Sequence, residues 1–232
     1  MRRYAHVFFD LDHTLWDFRS NSRDTLLELH GELRLADEGI TDAGAFLDAY
    51  EEINAGLWSR YEQGRMDKEV LRVLRFRNTL RVFGVRNDRL ATILGHEYLE
   101  RCPRRPKLHD GAVALLSTLE GRVRMHIITN GFSGTQRLKL ECSRLAPWFD
   151  IILTSEDAGA RKPDPRIFRK AMEKARCSPT DALMVGDSAE ADMAGARGVG
   201  MHQAHFTGDG ARPDDLATYH VTRLLEVAAI VL

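Results

Sequence analysis

Short apolar stretches and longer amphipathic stretches alternate along much of the chain. Five apolar runs predict buried β-strands, at about residues 7–9, 123–129, 150–154, 182–185 and 201–206. From residue 110 onward, stretches with the period of an α-helix lie between these runs, at about 110–119, 133–145, 165–176 and 189–197. Strands that alternate with helices of this length predict βαβ units and a parallel sheet that is covered on both faces.

The segment 17–104 breaks this alternation. It contains no convincing strand, and its apolar residues, such as Phe46, Leu47 and Tyr50, recur at helical spacing. The simplest interpretation is an all-helical insertion of 88 residues inside an α/β domain. We therefore predict an α/β core domain formed by residues 1–16 and 105–232, with a doubly wound, Rossmann-like parallel sheet, and a helical domain formed by residues 17–104.

Composition supports a folded enzyme-sized protein and excludes several classes. At about 150 residues per domain, 232 residues fit one domain that carries an insertion. Hydrophobic residues make up 44% of the chain, which excludes intrinsic disorder as its main state. The 33 basic and 34 acidic residues give a net charge of -1, which argues against a polymeric nucleic acid as the main partner.

The cysteines and the apolar runs indicate in which cellular compartment the protein is expected. Three widely spaced cysteines show neither a disulfide framework nor zinc-ligand spacing, which favours a reducing compartment. The apolar runs near both ends are too short for a signal peptide or a membrane span. We expect a soluble, cytoplasmic protein that does not bind membranes.

Polar residues follow three of the predicted strands. The first strand is followed by Asp10-Leu11-Asp12, the second ends in Thr129-Asn130-Gly131, and the fourth is followed by Gly186-Asp187-Ser188, with Asp192 nearby. Lys162 lies between the last two motifs, at the start of a predicted helix. Because ligands of open parallel sheets bind beyond the carboxyl ends of the strands, we expect these residues to form one site.

The acidic residues indicate a metal site. Asp10 and Asp12 at one strand end would repel each other in a pocket of low dielectric unless a cation or a proton relieved them. Asp187 adds a third carboxylate, so the motifs predict an all-oxygen site for a hard divalent cation, with Mg²⁺ as the natural candidate.

The remaining polar residues suit a phosphoryl group. Thr129 and Asn130 offer hydroxyl, amide and backbone N–H donors, and Lys162 offers a compact positive charge. Together with a carboxylate nucleophile, a neighbouring acid–base group and a metal ion, they are the equipment for phosphoryl transfer through an aspartyl-phosphate.

In this order, the four motifs resemble those of the haloacid dehalogenase-like (HAD) hydrolases. The resemblance implies that Asp10 is the nucleophile and Asp12 the general acid–base. It implies that Mg²⁺ is held by the carboxylates of Asp10 and Asp187 and by the backbone carbonyl of Asp12. Asp192 would act on the metal through water or through neighbouring residues.

The same resemblance assigns the phosphate site and the helical insertion. Thr129, Asn130 and Lys162 match the positions that bind phosphate. Thr14 and Thr129 are 115 positions apart, whereas Thr129 and Lys162 are only 33 positions apart. The insertion therefore lies between the first and the second motif. Its helical periodicity resembles the mobile helical cap of the subfamily that contains phosphoglycolate phosphatase and phosphosugar mutases.

Two stretches, 15–23 and 71–80, look most like the non-canonical pyrimidine 5'-nucleotidases. This resemblance implies a nucleoside 5'-monophosphate substrate and a monomer or homodimer. Trp16 and Phe18 would either stack on the base or pack at a hinge. Arg75 would either contact the substrate or lie on a solvated helix face.

Three alternatives accompany this interpretation. A phosphoglycolate-type phosphatase or a phosphosugar mutase would use the same scaffold. A phosphate-sensing, receiver-like module would also use a doubly wound sheet with acidic strand ends, although receivers are shorter. Dehalogenase chemistry is disfavoured, because dehalogenases of this family lack the acid that Asp12 supplies.

Overall fold

The computed structural model describes residues 4–208 and 215–232. The chain forms two compact units. The core unit comprises Met1–Phe18 and Pro106–Leu232, and the helical unit comprises Arg19–Arg105. None of the helices in the described part of the chain is both long and apolar enough to span a membrane.

The core unit contains one parallel sheet of six strands in the order β3-β2-β1-β4-β5-β6. The strands are β1 (His6–Phe9), β2 (Arg124–Thr129), β3 (Ile151–Thr154), β4 (Ala182–Gly186), β5 (His202–Phe206) and β6 (Tyr219–Val221). This sheet confirms the predicted α/β class. The strand β6 was not predicted, because it has three residues and stands at the edge of the sheet, where its central residue is exposed.

The apolar pattern explains why β1 lies in the middle of the sheet. Val7, Phe8 and Phe9 are completely buried, as expected for a strand that is covered on both faces. Phe9 pairs with Ile127 of β2 and with Val185 of β4. This register brings the residues that follow β1, β2 and β4 to the same edge of the sheet.

Four helices make up the helical unit. They are α1 (Phe18–Glu32, whose first residue belongs to the core unit), α2 (Ala43–Glu62), α3 (Lys68–Val82) and α4 (Asp88–Arg101). Their apolar faces meet in an aromatic cluster, in which the Phe76 ring lies 5.4 Å from that of Tyr50 and 5.3 Å from that of Tyr98. These contacts join α2, α3 and α4.

Helices lie between the strands of the core unit and after the last of them. In the described residues they are α5 (Ala112–Leu119), α6 (Ser133–Cys142), α7 (Ser155–Ala158), α8 (Pro165–Ala175), α9 (Gly195–Arg197) and α10 (Glu226–Val231). The stretch 189–197, predicted as one helix, is instead a π-helical turn, Ala189–Ala194, followed by the short α9. The π-helical turn carries Asp192.

Candidate active site

Three carboxylates from two strand ends meet at the carboxyl edge of the sheet. Asp10 directly follows β1, whereas Asp187 and Asp192 follow β4. One oxygen from each carboxylate lies within 4.8 Å of the other two. Asp10 and Asp192 are buried, with 7% and 1% of their surfaces exposed.

Lys162 is the cation that faces this cluster. Its Nζ lies 2.6 Å from Asp10 Oδ1 and 2.6 Å from Asp192 Oδ1, and the residue is only 2% exposed. Burial opposes the charge on Lys162, but Asp10 and Asp192 outweigh it and raise the pKa of the ammonium group. Lys162 is therefore a permanent positive charge in this site.

One lysine does not balance three carboxylates. Burial raises the pKa of Asp10 well above its usual value, despite Lys162. Burial and the neighbouring Asp192 raise the pKa of Asp187 to about 7. A cluster of carboxylate oxygens that lacks positive charge fits a hard divalent cation such as Mg²⁺, which prefers oxygen ligands.

Local sequence around β4 brings Asp192 into the cluster. The backbone N–H of Ser188 donates to Asp192 Oδ2 over 3.1 Å, and Thr14 Oγ1 donates to Asp187 Oδ1 over 3.0 Å. A Cβ atom at Gly186 would lie 2.3 Å from Asp192 Oδ2. Glycine at this position is therefore needed for the close approach of Asp192. The role of Asp192 through water or neighbouring residues stays a prediction.

Thr129 and Asn130 stand at the end of β2, and both are buried. The Asn130 side chain accepts from the backbone N–H of Lys162 over 2.7 Å and donates to the Lys162 carbonyl over 3.0 Å. Thr129 Oγ1 accepts from the Gly131 N–H over 3.1 Å. The amide of Asn130 thus fixes the segment that carries Lys162, and the contacts of Thr129, Asn130 and Lys162 with phosphate remain predictions.

Asp12 faces a different set of partners. Its Oδ1 lies 2.5 Å from Lys139 Nζ, and its Oδ2 accepts from Gln136 Nε2 over 2.7 Å. Burial alone would raise the pKa of Asp12, but the charge of Lys139 and the hydrogen bonds from Lys139 and Gln136 outweigh it and lower that pKa. Asp10 and Asp12 therefore have opposite electrostatic surroundings, although they are two residues apart.

Gln136 and Lys139 were missed in the sequence analysis. Both belong to α6, which begins four residues after Thr129, and positions three apart share one face of a helix. The sequence feature that could have predicted these two residues is therefore a pair of polar side chains on the first helix after a strand that ends in a motif. Distance in sequence hid it, because Asp12 and Lys139 are 127 positions apart.

Trp16, Phe18 and Arg75 were the predicted specificity residues. Trp16 is completely buried, and Lys139 Nζ lies 4.3 Å from the centre of its ring and 5.4 Å from that of Phe18. Arg75 lies inside the helical unit and is 4% exposed, so the solvated alternative for Arg75 is wrong. Its guanidinium donates to Tyr50 Oη and Asn54 Oδ1 over 3.2 and 3.4 Å. Substrate contacts of the three residues stay predictions.

Comparison with known proteins identifies the family of this chain. Residues 4–200 match the haloacid dehalogenase-like hydrolases. The chain belongs to this family. It is therefore an enzyme of the hydrolase class, which excludes the receiver-like alternative.

Several relatives are similar over most of their length. The chain is 31% identical to the HAD-hydrolase YfnB of Bacillus subtilis over 98% of this chain and 95% of YfnB. It is 33% identical to the pyrimidine 5'-nucleotidase YjjG of Escherichia coli, over 86% and 84% of the two chains. It is 32% identical to the pyrimidine 5'-nucleotidase PynA of Streptococcus pneumoniae, over 85% and 81%. A crystal structure of YfnB bound to magnesium matches with a TM-score of 0.87 over 99% of both chains.

Proposed function

We propose that this hydrolase is a Mg²⁺-dependent phosphomonoesterase that works through an aspartyl-phosphate and acts on nucleoside 5'-monophosphates. The observation that carries the proposal is the pair Asp10 and Asp12. Asp10 lies in a buried carboxylate cluster with Lys162, and Asp12 lies beside it in a separate set of hydrogen bonds. Similarity to the nucleotidases YjjG and PynA supports the substrate class, a small phosphoester.

The first half of the reaction uses both aspartates. An oxygen of Asp10 attacks phosphorus, and the bond between phosphorus and the ribose oxygen breaks. The protonated form of Asp12 gives its proton to that leaving oxygen, which departs as an alcohol; because Lys139 lowers the pKa of Asp12, this form holds its proton weakly and transfers it readily. Lys162 and the Thr129 hydroxyl stabilise negative charge on the transferring phosphoryl group.

The second half restores the enzyme. Water attacks the phosphorus of the aspartyl-phosphate while Asp12 accepts a proton from that water. The bond between phosphorus and the Asp10 oxygen breaks, which releases inorganic phosphate and leaves Asp10 as a carboxylate. A Mg²⁺ ion held by Asp10, Asp187 and the backbone carbonyl of Asp12 would supply further neutralisation of the phosphoryl charge.

A panel of phosphoesters tests the reaction and the substrate class. Phosphate release is measured from pyrimidine and purine 5'-monophosphates, phosphoglycolate and sugar phosphates, each with Mg²⁺ and with a chelator. We expect the highest kcat/KM with a nucleoside monophosphate and loss of activity with chelator. Preferred turnover of phosphoglycolate, or of a sugar phosphate after priming by a bisphosphate, would support the phosphatase or mutase alternatives.

The variant Asp10→Asn tests the nucleophile. An amide cannot form the aspartyl-phosphate, so we expect kcat to fall by at least about 10³-fold while the fold is retained. Asp110→Asn, at an exposed position of the core unit, is the control and keeps full activity. An Asp10→Asn enzyme that retained a tenth of the wild-type rate would show that the nucleophile is another group.

A further inference from the structure

Two side chains of the helix α6 donate hydrogen bonds to the two oxygens of the Asp12 carboxylate. Lys139 Nζ reaches one oxygen over 2.5 Å and Gln136 Nε2 reaches the other over 2.7 Å. Gln136 is 1% exposed and Lys139 is 4% exposed. A buried pair of donors on one helix face fixes a carboxylate far better than an exposed ion pair, which water and mobile side chains weaken.

The surroundings of Lys139 restrict its ammonium group further. Nζ lies 4.3 Å from the centre of the Trp16 ring and 5.4 Å from that of Phe18. A cation over aromatic rings is stabilised electrostatically, and the rings also exclude alternative positions of the lysine side chain. Lys139 is thus held from two sides, by Asp12 and by the aromatic pair.

Gln136 is also confined by its neighbours. A Cβ atom at Gly131 would lie 1.5 Å from Gln136 Nε2, so the amide occupies the space that any other residue at position 131 would fill. Gly131 follows Thr129 and Asn130 directly. The loop predicted to bind phosphate and the donor to Asp12 are therefore packed against each other.

The hydrogen bonds from Lys139 and Gln136 leave Asp12 able to react. An ionised carboxylate offers about four lone-pair positions, of which the two donors of α6 use two; a third can carry the proton that is exchanged. The two positions that these donors do not use remain for a substrate oxygen or a water molecule. What the donors remove is the rotation of the carboxyl group, and a displacement of about 1 Å in a catalytic group can cost about 100-fold in rate.

We propose that Gln136 and Lys139 are positioning residues that hold the Asp12 carboxyl group in the orientation in which it exchanges a proton with the leaving oxygen. The inference rests on the proposed function, since it takes Asp12 as the acid–base group.

The test compares two substrates that differ in their need for a proton. The ribose oxygen of a nucleoside 5'-monophosphate leaves as an alkoxide unless it is protonated, whereas p-nitrophenyl phosphate releases a stable phenolate. In Lys139→Met and Gln136→Met we expect kcat/KM for the nucleotide to fall by about 100-fold, and for p-nitrophenyl phosphate by only a few-fold. Lys139→Arg should recover part of the loss, because a guanidinium can still donate to Asp12.

Matched variants separate positioning from general damage. Arg137→Met changes an exposed residue on the same helix and should leave both substrates unaffected. Asp12→Asn should show the same selective loss, and adding Lys139→Met to it should cost little more, because both changes remove one function. Thermal unfolding shows whether Lys139→Met folds. If it does not, the comparison of the two substrates is made with Lys139→Arg and Gln136→Met.

The outcomes are distinguishable. Equal losses on the two substrates, or no loss on either, would overturn the positioning role while leaving the proposed function intact. Losses that add fully in Asp12→Asn/Lys139→Met would overturn it as well. A wild-type enzyme that hydrolyses neither substrate in the presence of Mg²⁺ would overturn the proposed function, and this inference with it.

Discussion

At the scale of single residues, the site depends on how unequally charge is distributed around two neighbouring aspartates. Asp10 shares the buried Lys162 with Asp192, and burial raises its pKa. Asp12 has its own buried lysine, Lys139, and its pKa is lowered. The lowered pKa of Asp12 suits this carboxylate to accept a proton from the attacking water, whereas the raised pKa of Asp10 means that the nucleophile needs further positive charge, such as Mg²⁺, to be ionised.

Lys162 should be essential for the stability of the metal-free protein. In Lys162→Met, Asp10 and Asp192 lose the cation that lies 2.6 Å from each of them. Removing one partner of a buried ion pair leaves uncompensated charge, so we expect the free energy of unfolding to fall by about 3–5 kcal/mol. Urea unfolding with chelator at pH 7.5 measures this. Lys174→Met, an exposed change on α8, is the control, and an equally small effect in both variants would contradict the prediction.

Asp187 should couple metal binding to stability. We expect the wild-type protein to gain stability when Mg²⁺ is added, because a ligand that binds only the folded state stabilises it. With Mg²⁺ at about 100 times its Kd we expect the Tm to rise by about 5 °C or more. In Asp187→Asn this rise in Tm should be lost. The Tm of the metal-free variant should stay equal or increase, because an amide replaces a buried carboxyl group whose pKa is raised by burial and by Asp192.

A neighbouring acid gives the control for this experiment. Glu190 is exposed and lies three residues after Asp187. Glu190→Gln should keep the full response of the Tm to Mg²⁺. A Mg²⁺ response in Asp187→Asn as large as that of the wild type would mean that the metal binds elsewhere.

At the scale of elements, β2 carries a buried histidine that makes stability depend on pH. His126 is completely buried, its Nε2 lies 3.1 Å from His6 Nδ1, and its Nδ1 has no hydrogen-bond partner in the described part of the chain. Burial, and then the nearby His6, lower the pKa of His126 to about 4. The folded protein therefore keeps this ring neutral at pH values where the unfolded chain protonates it.

The sign of the effect follows from proton binding. Between pH 6.5 and pH 4 the unfolded state binds more protons at this position, so the free energy of unfolding falls as the pH falls. From pH 7 to pH 4.5 we expect His126 to contribute a loss of about 2 kcal/mol. Urea unfolding at both pH values should show a smaller loss in His126→Gln than in the wild type.

Titrating groups that do not contact His126 cancel in this comparison, because their surroundings are the same in both proteins. His96, an exposed histidine of the helical unit, provides the control, and His96→Gln should lose as much stability on acidification as the wild type. An equal loss in wild type and His126→Gln would mean that His126 titrates normally in the fold.

The elements that the sequence predicted well are those with the strongest patterns. The apolar runs that became β1, β2 and β4 are buried on both faces, so burial selects their composition. The strand β6 pairs only with β5 and has one exposed residue among three, so it carries little hydrophobic signal. The π-helical turn was also missed, because its register departs from the 3.6-residue period that predicts an α-helix. It carries Asp192, which contacts Lys162.

At the scale of the whole molecule, the balance of charge argues against a polymeric nucleic acid as the substrate. The net charge of -1 offers no overall attraction to a polyanion. A 5'-phosphorylated 20-nucleotide single strand should therefore be dephosphorylated with a kcat/KM at least about 100-fold below that of a nucleoside monophosphate. Phosphate release at 50 mM and 200 mM salt measures this, and a high oligonucleotide rate that falls steeply with salt would contradict it.

The sequence by itself determined the α/β class and the motifs that belong to the family, because buried strands and strand-end motifs are local patterns. The tertiary structure decided which residues act on Asp12 and which on Asp10. Lys139 and Lys162 are both lysines, one on α6 and one just before α8, yet one pairs with Asp12 and the other with Asp10 and Asp192. That pairing depends on the packing of helices against the sheet, across more than 100 positions of sequence, and no local pattern contains it.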